Sequence, residues 1–352
     1  MKKHAIFLFA PFLGLLASCA QGTIYKGYAT HTLFHSFFSW WFESTRGDYG
    51  SDIVDLATKI NDLTDPYTEP KDGMTTLYTV NTSSDWVEVD PILYEVLELA
   101  VELQEKTEGY FNPFIGELTM HWKETLFGLG EFDIKDPTYE EIEEAKEEVP
   151  AMLQRMNASS LEFNAERHAV KRNGEGALDL GGLVKGFAVN KTKELIMSRG
   201  GARYLINGGQ SSLALGKPQS NENFTVSLLY TLVEKEISYA LKEVDCSTSA
   251  IYEQKVDVVA PDTAKRVTYS HILNPKTGMP ETTYSMAFLV GDDSALLDAM
   301  STSVMLADLE TTRKWAQAYG FEYAVFRNTV YDKAKLVEQS QGLKDAQIPL
   351  ES

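Results

Sequence analysis

The sequence predicts an α+β domain, and three observations carry that prediction. Strand-patterned and helix-patterned segments are mixed without the steady alternation that builds a doubly wound sheet. No internal repeat and no long Gly/Ser/Pro linker divides the chain, so 25–352 reads as a single domain. The length of 352 residues is enough for a well-buried core.

From the N-terminus, Lys2 and Lys3 precede an apolar run, 6–16, too short to span a bilayer, and residues 1–18 have the layout of an export signal. The run ends in Leu16, Ala17, Ser18 and Cys19. Small residues before a cysteine resemble a bacterial lipobox, which would make Cys19 the lipidated first mature residue. An ordinary signal peptide cut at small residues is the other reading. Residues 19–24 then form a tether. The chain is expected to be exported and held on a membrane, facing the periplasm or the outer side of the cytoplasmic membrane. An acylated Cys19 leaves Cys246 without an intramolecular partner. Cys246 lacks a nucleophile motif and is expected to be packed.

Beyond the tether, 25–32 has strand character and 33–43 is apolar and aromatic, strand or turn. Helical spacing returns at 51–63, with Ile53, Leu56, Ala57 and Ile60 on one face. Residues 64–75 are polar and turn-rich. The best-marked helix follows: Asp90 as N-cap, Pro91 at the first position, a stripe of Leu93, Val96, Leu97, Ala100 and Leu103, and Gly109 as stop. The Glu-rich stretch 136–148 reads as one exposed helix, its charge run a solvated face. A hairpin is expected over 161–171, a helix at 185–198, strands at 204–215 and 224–229 with Gly208 and Gly209 as a turn or bulge, a strand at 285–290 and a helix at 294–306. A helix end and a strand close the series over 318–327.

Charge narrows the function. With 51 acidic against 32 basic residues the formal net charge is -19, which excludes a nucleic-acid partner, since phosphate contacts need clustered Lys and Arg. If the substrate is a phosphate anion, the site must supply its own cation. That points to a metal.

Four segments carry chemistry, each with a structural alternative. In 177–188, Gly181 and Gly182 let backbone approach a ligand, and the helix that follows offers its N-terminus to an anion. Lys185 can balance phosphate charge, while Asp179 orders the loop or binds a polar ligand group. The spacing is neither a Walker loop nor a Gly-x-Gly-x-x-Gly fingerprint. In 269–280, His271 precedes a tight turn with Asn274, Pro275 and Gly278; it is either a hydrogen-bonded structural residue or a proton acceptor facing a cleft. In 297–302, Asp298 and Thr302 lie four apart on one helical face. A carboxylate with a hydroxyl is hard oxygen ligation of the kind Mg2+ takes beside water and phosphate, unless the two are simply the helix's polar side. In 107–116, Tyr110, Phe111 and Asn112 sit beside glycines, with Trp122 after them; they form either a wall for a planar ring or core.

The order of these pieces resembles the FAD:protein FMN transferase family, also called the ApbE family of bacterial flavin transferases. The likeness runs from about Asn81 to Thr302. Asn207, Gly208 and Gly209 look like its Asn-x-Gly-Gly turn, and Thr248 and Ser249 through Tyr252 are similar to its Thr-Ser-Gly-x-Tyr stretch.

That resemblance implies an α+β fold with FAD in a cleft between two lobes and Mg2+ at the diphosphate. It implies Asp298, Thr302 and the Gly182 carbonyl as metal ligands. Asp179 and Lys185 would contact FAD, Tyr110, Phe111 and Asn112 would line the cofactor wall, and Asn81 would lie at the approach to the flavin. His271 would sit near the diphosphate with Ile272 behind the flavin. The implied reaction moves FMN onto a Thr or Ser hydroxyl of an exported partner, such as a subunit of a membrane redox complex, and releases AMP. His271 or Asp298 would take the hydroxyl proton; a metal-bound Asp298 is the weaker base, which favours His271.

Two alternatives use the same residues: an FAD diphosphatase, in which water attacks, and a non-catalytic FAD-binding lipoprotein. Keeping Asp298, Thr302 and His271 together speaks against the second. The chain departs from the family pattern at Ala250 (glycine in the family), Phe187 (tyrosine), Leu297 (a small residue) and Asn274 (aspartate). The segment 33–65 matches poorly.

Overall fold

The computed structural model describes residues 24–349 except 72, 129–134, 220–221, 229–232, 253, 262 and 330–332. The segment expected to be an export signal, Cys19 and the expected tether up to Thr23 lie outside the described residues. Among those described, no helix is long and apolar enough to cross a membrane.

The frame is an antiparallel sheet of eight strands whose spatial order is the chain order. These are β1 (Tyr25–Leu33), β2 (Ser36–Ser44), β3 (Arg203–Gly208), β4 (Ser212–Leu215), β5 (Val244–Ala250), β6 (Met286–Gly291), β7 (Glu322–Asn328) and β8 (Ala334–Gln339). Between β2 and β3 run α1 (Gly50–Leu63), α2 (Leu77–Thr82), α3 (Pro91–Lys106), α4 (Gly116–Leu126), α5 (Tyr139–Lys146), α6 (Val149–Asn157), the hairpin Ser160–Asn164/Ala169–Asn173 and α7 (Val184–Ser198). Helices α8 (Ser294–Leu306) and α9 (Leu309–Tyr319) join β6 to β7, and α10 (Gln341–Ala346) follows β8. Mixed helices and strands with no βαβ alternation make the α+β class that the sequence predicts.

Strand alternation sorts the sheet into two cores. Phe288 and Val290 of β6 pack with Cys246 and Leu215 under the hairpin Phe224–Leu228/Ile237–Leu241. Ala287 and Leu289, one residue out of phase, pack with Leu297, Met300 and Val304 of α8 and with Trp315 of α9. Cys246 is buried, and burial pushes its thiol pKa well up. It is a packing residue. Phe38, Trp40 and Phe42 of β2 join the large cluster formed by α1, α3 and α7.

Several boundaries differ from expectation for clear reasons. The stretch 33–43 is a turn followed by a strand: Phe34 and His35 take positive φ (55° and 53°), the geometry of a tight hairpin that normally selects Asn-Gly. Phe34 holds it by donating its N–H to Asn61 Oδ1 at 2.7 Å. The Glu-rich stretch holds one helix, α5, shorter than expected, and a second, α6, starts just beyond it. Thr138 and Glu141 form a capping box for α5, and α6 begins with Pro150 in its first turn. Asp90 caps α3 as expected, accepting from the Ile92 N–H at 2.9 Å. Strand 204–215 is the β3–β4 hairpin, turning at Gly209 (φ 70°).

Candidate active site

The site begins with the glycine turn between the Ala169–Asn173 strand and α7. Residues 177–183 have no ladder of their own, so their backbone groups need partners. Asn81 supplies two of them, donating Nδ2–H to the Leu178 carbonyl at 2.9 Å and accepting the Leu178 N–H on Oδ1 at 2.7 Å. The Asp179 N–H donates to the Pro113 carbonyl (2.8 Å), and the Gly116 N–H to the Ala177 carbonyl (2.9 Å). A Cβ at Gly116 would lie 2.8 Å from that carbonyl oxygen, so glycine permits the approach. The Asp179 carboxylate then folds the turn, accepting from the Gly181 N–H at 2.7 Å and the Tyr67 hydroxyl at 2.5 Å. Burial and that carboxylate push the Tyr67 phenol far above its ordinary pKa.

Asn81 thus stands apart from the other expected site residues. Its side chain is committed to Leu178, and it lines a neighbouring cavity with Tyr67 and Tyr78 rather than the main cleft. Asn81→Ala should leave both Leu178 groups unmet and cost about 1–3 kcal/mol, read as a lower thermal midpoint. An unchanged midpoint would contradict the clamp.

Helix α8 supplies the second wall. Asp293 caps it, accepting from the Ala295 and Leu296 N–H groups at 3.0 and 3.1 Å, and the helix is buried on nearly every side. Asp298 lies in the middle of it, 4% exposed. Its Oδ2 accepts from the Gly186 N–H (2.9 Å), and its Oδ1 accepts from Ser212 Oγ (3.1 Å) and Ser247 Oγ (3.4 Å). Burial raises the Asp298 pKa, while the Lys185 charge and these donors pull the other way. The hydroxyls continue as a network: Ser247 to Ser301 at 3.2 Å, Ser301 to Ser249 at 2.8 Å, and Ser249 to Thr302 Oγ1 at 2.9 Å.

These two walls meet at one cleft of about 290 Å³, lined by Tyr110, Phe111, Asn112, Asp179, Gly182, Lys185, His271, Ile272, Asp298 and Thr302, together with Ser211, Thr248, Ser249 and Ala250. The structure thus brings together every expected site residue within the described range except Asn81. An ideal Cβ on Gly182 would stand 3.7 Å from the Phe111 ring and 3.8 Å from Thr302 Oγ1, which puts the glycine turn directly beside the α8 hydroxyl.

The third wall is the turn after His271. His271 Nδ1 lies 3.1 Å from the Gln254 carbonyl. Since a carbonyl only accepts, Nδ1 carries the proton and the neutral ring has its lone pair on Nε2. Asn274 Oδ1 accepts from the Lys276 N–H (3.0 Å) and so keeps the turn without the family's charge. Trp122 is core rather than wall: it is 1% exposed and donates Nε1–H to the Gly278 carbonyl at 2.7 Å. Lys276 Nζ sits 3.6 Å above the Tyr110 ring, and Trp315 packs against that ring edge-on.

Sequence reasoning missed Ser212, Ser247, Ser301 and Tyr67. Serines on a buried helix and strand give no periodic signal, and Tyr67 lay in a segment taken as polar turn. A signal existed for Ser301, which sits between Asp298 and Thr302 in an otherwise apolar run.

The donor set can be tested for a cation. Among the described residues no three His, Cys, Asp or Glu side chains gather. On the α8 side the site offers one carboxylate, Asp298, with hydroxyls beside it, and the glycine turn faces it with backbone carbonyls. Three donors on a carboxylate with about four lone-pair sites leave room for one more electropositive partner. Such a set suits a hard ion that completes its shell with water and phosphate oxygens.

Comparison with known proteins agrees with this picture. A family model described as the ApbE family matches residues 38–325. Proteins named FAD:protein FMN transferase are similar: one from Buchnera aphidicola (27% identical over 213 residues, 59% of this chain and 58% of that protein) and one from Treponema pallidum (26% over 242 residues, 64% and 62%). The chain thus spans under two thirds of the length of these relatives. Among solved structures, the flavin transferase ApbE from Vibrio cholerae shares the fold at TM-score 0.70 and 20% identity, over 92% of this chain and all of that one. The ApbE protein from Thermotoga maritima does so at TM-score 0.71. With the family model spanning most of its length, this chain belongs to the ApbE family.

Proposed function

We propose that the protein is an FAD:protein FMN transferase, which moves FMN from FAD onto a Thr or Ser hydroxyl of an exported partner protein and releases AMP. The observation that carries this reading is the meeting of Asp298, Thr302, the Gly182 turn and His271 at one cleft. The names of the similar proteins support the same activity.

In this reading Asp298 and Thr302 would hold Mg2+ through their side chains and Gly182 through its carbonyl, and a bound ion would supply charge neutralisation for the diphosphate. Lys185 adds a fixed positive charge, and the N-terminus of α7 presents its positive end to the same anion. Tyr110, Phe111 and Ile272 give the isoalloxazine an apolar wall. The acceptor hydroxyl oxygen attacks the FMN-side phosphorus, the bridging P–O bond breaks toward AMP, and the hydroxyl proton passes to His271. His271 suits that task better than Asp298, whose oxygens already accept three hydrogen bonds in a buried site.

The leader and the small residues before Cys19 support export and acylation. Acyl chains on Cys19 then hold the enzyme at the membrane, where the acceptor is an exported protein such as a subunit of a redox complex.

Incubation with FAD, Mg2+ and a flavin-accepting fragment tests the reading. Covalent fluorescence on the fragment supports transfer, free FMN alone makes the protein a diphosphatase, and bound, unaltered FAD makes it a carrier. His271→Asn keeps a donor for the Gln254 carbonyl and should lower turnover by about 10²–10⁴ with little change in FAD affinity. Full activity in that variant would remove His271 from the proton transfer.

A further inference from the structure

The outer face of the β1–β2 hairpin is bare, although the same face of the sheet is covered farther along. Paired residues share a face, and the row Tyr28, Trp41, Leu205, Leu215, Val244 crosses β1 to β5. At Leu215 this row is buried beneath the hairpin Phe224–Leu228/Ile237–Leu241. At the β1 end nothing covers it among the described residues: Tyr28 is 77% exposed, Phe37 61% and Trp41 partly. Ile24 and Tyr25, at the start of the strand, are 54% and 40% exposed. Lys26 and Arg203 flank these aromatics on the same face, each paired with Glu43.

We propose that this aromatic face, Tyr28, Phe37 and Trp41 with Ile24, rests on the headgroup region of the lipid surface that holds the anchor. The proposal rests on acylation of Cys19. Four residues separate Cys19 from Ile24, and an extended chain spans at most ~3.6 Å per residue. The start of β1 therefore stays within roughly 18 Å of the acylated residue. Tyr and Trp favour the membrane–water boundary, where an apolar ring and a polar tip are both satisfied. A second copy of this chain is a poorer occupant, because each carries a net charge of -19 and like charges repel. The same charge selects a zwitterionic rather than an anionic surface.

The placement has a consequence for the reaction. The turn end of the hairpin borders the cleft: the Gly209 N–H donates to the Phe37 carbonyl at 2.8 Å, and a Cβ on Gly209 would meet Ser36 Oγ and the Lys185 side chain. Nine residues of β1 at ~3.3 Å each separate the anchor end from the cleft end. A hairpin lying on the surface keeps the cleft at the membrane, where a membrane-held acceptor is met.

Nitroxide labels on the full-length, acylated protein in phosphatidylcholine vesicles test this. Cys246 is buried, so labels at Thr30→Cys, on the proposed face, and at the exposed Val259→Cys, on the strand Lys255–Ala260, report selectively. The label at 30 should lose contact with a water-soluble nickel complex and gain contact with dissolved oxygen, while the label at 259 stays aqueous. Adding Tyr28→Ser and Phe37→Ser should return the label at 30 to water. Protein on the vesicles with both labels equally aqueous overturns the proposal and leaves the anchor standing. Protein that does not sediment with vesicles overturns both. Protection at 30 that persists without vesicles, or needs an acceptor protein, assigns the face to a protein partner and overturns the lipid assignment. Flavin transfer to a soluble fragment, measured on the same samples, reads the enzymatic proposal separately.

Discussion

Asp298→Asn should lose flavin transfer while remaining folded. The substitution keeps the side chain's shape but removes the one carboxylate among the proposed metal ligands. Loss of a single preorganised electrostatic group costs about 10²–10³ in turnover, and a missing metal ligand adds weaker Mg2+ binding. Stability moves less. Asparagine presents an N–H where three donors now converge, leaving one unmet at about 1–3 kcal/mol. That cost is offset in part because no charge is buried any longer. The check is parallel: turnover across a Mg2+ titration and a thermal midpoint. Wild-type turnover would remove Asp298 from the metal site.

Gly186→Ala should be the most disruptive small change near the cleft. Helices α7 and α8 cross so closely that a Cβ at Gly186 would stand 2.1 Å from the Ser294 carbonyl oxygen and 2.7 Å from Asp298 Cβ. Both contacts are with atoms that cannot swing aside, so the helices must separate. Overpacking of this kind costs about 1–3 kcal/mol and sometimes more. It also pulls the Gly186 N–H from Asp298, so activity falls with stability. Gly182→Ala is the control for stability: its Cβ would make only ordinary contacts, 3.7 Å from Phe111 and 3.8 Å from Thr302. A midpoint for Gly186→Ala no lower than that of Gly182→Ala would contradict the close crossing.

The contrast shows what could be read from the sequence. α3 was legible in full because Asp90, Pro91 and an apolar stripe act locally. α8 was legible as a helix, yet nothing in its periodicity marked Ser301, which joins Ser247 and Ser249 in the hydroxyl network beside Asp298. The β1–β2 turn was obscured because Phe34 and His35 take a backbone usually left to glycine and asparagine, stabilised by Asn61 from α1. The cleft residues were found one motif at a time, each with a plain structural alternative. Their convergence is long-range: Asp179 and Asp298 belong to separate walls that only the fold joins. Asn81 shows the opposite outcome, a motif residue whose side chain serves the backbone of the turn.

The central claim is that Asp298, Thr302 and the Gly182 carbonyl hold one hard cation at the diphosphate of FAD. Crystals grown with FAD and Mn2+ in place of Mg2+, measured at the manganese absorption edge, test it directly. The account predicts one anomalous peak bonded to Asp298, to Thr302 Oγ1 and to the Gly182 carbonyl, with diphosphate oxygens completing its shell. A peak elsewhere in the cleft, or FAD bound with its diphosphate away from α8, would contradict it.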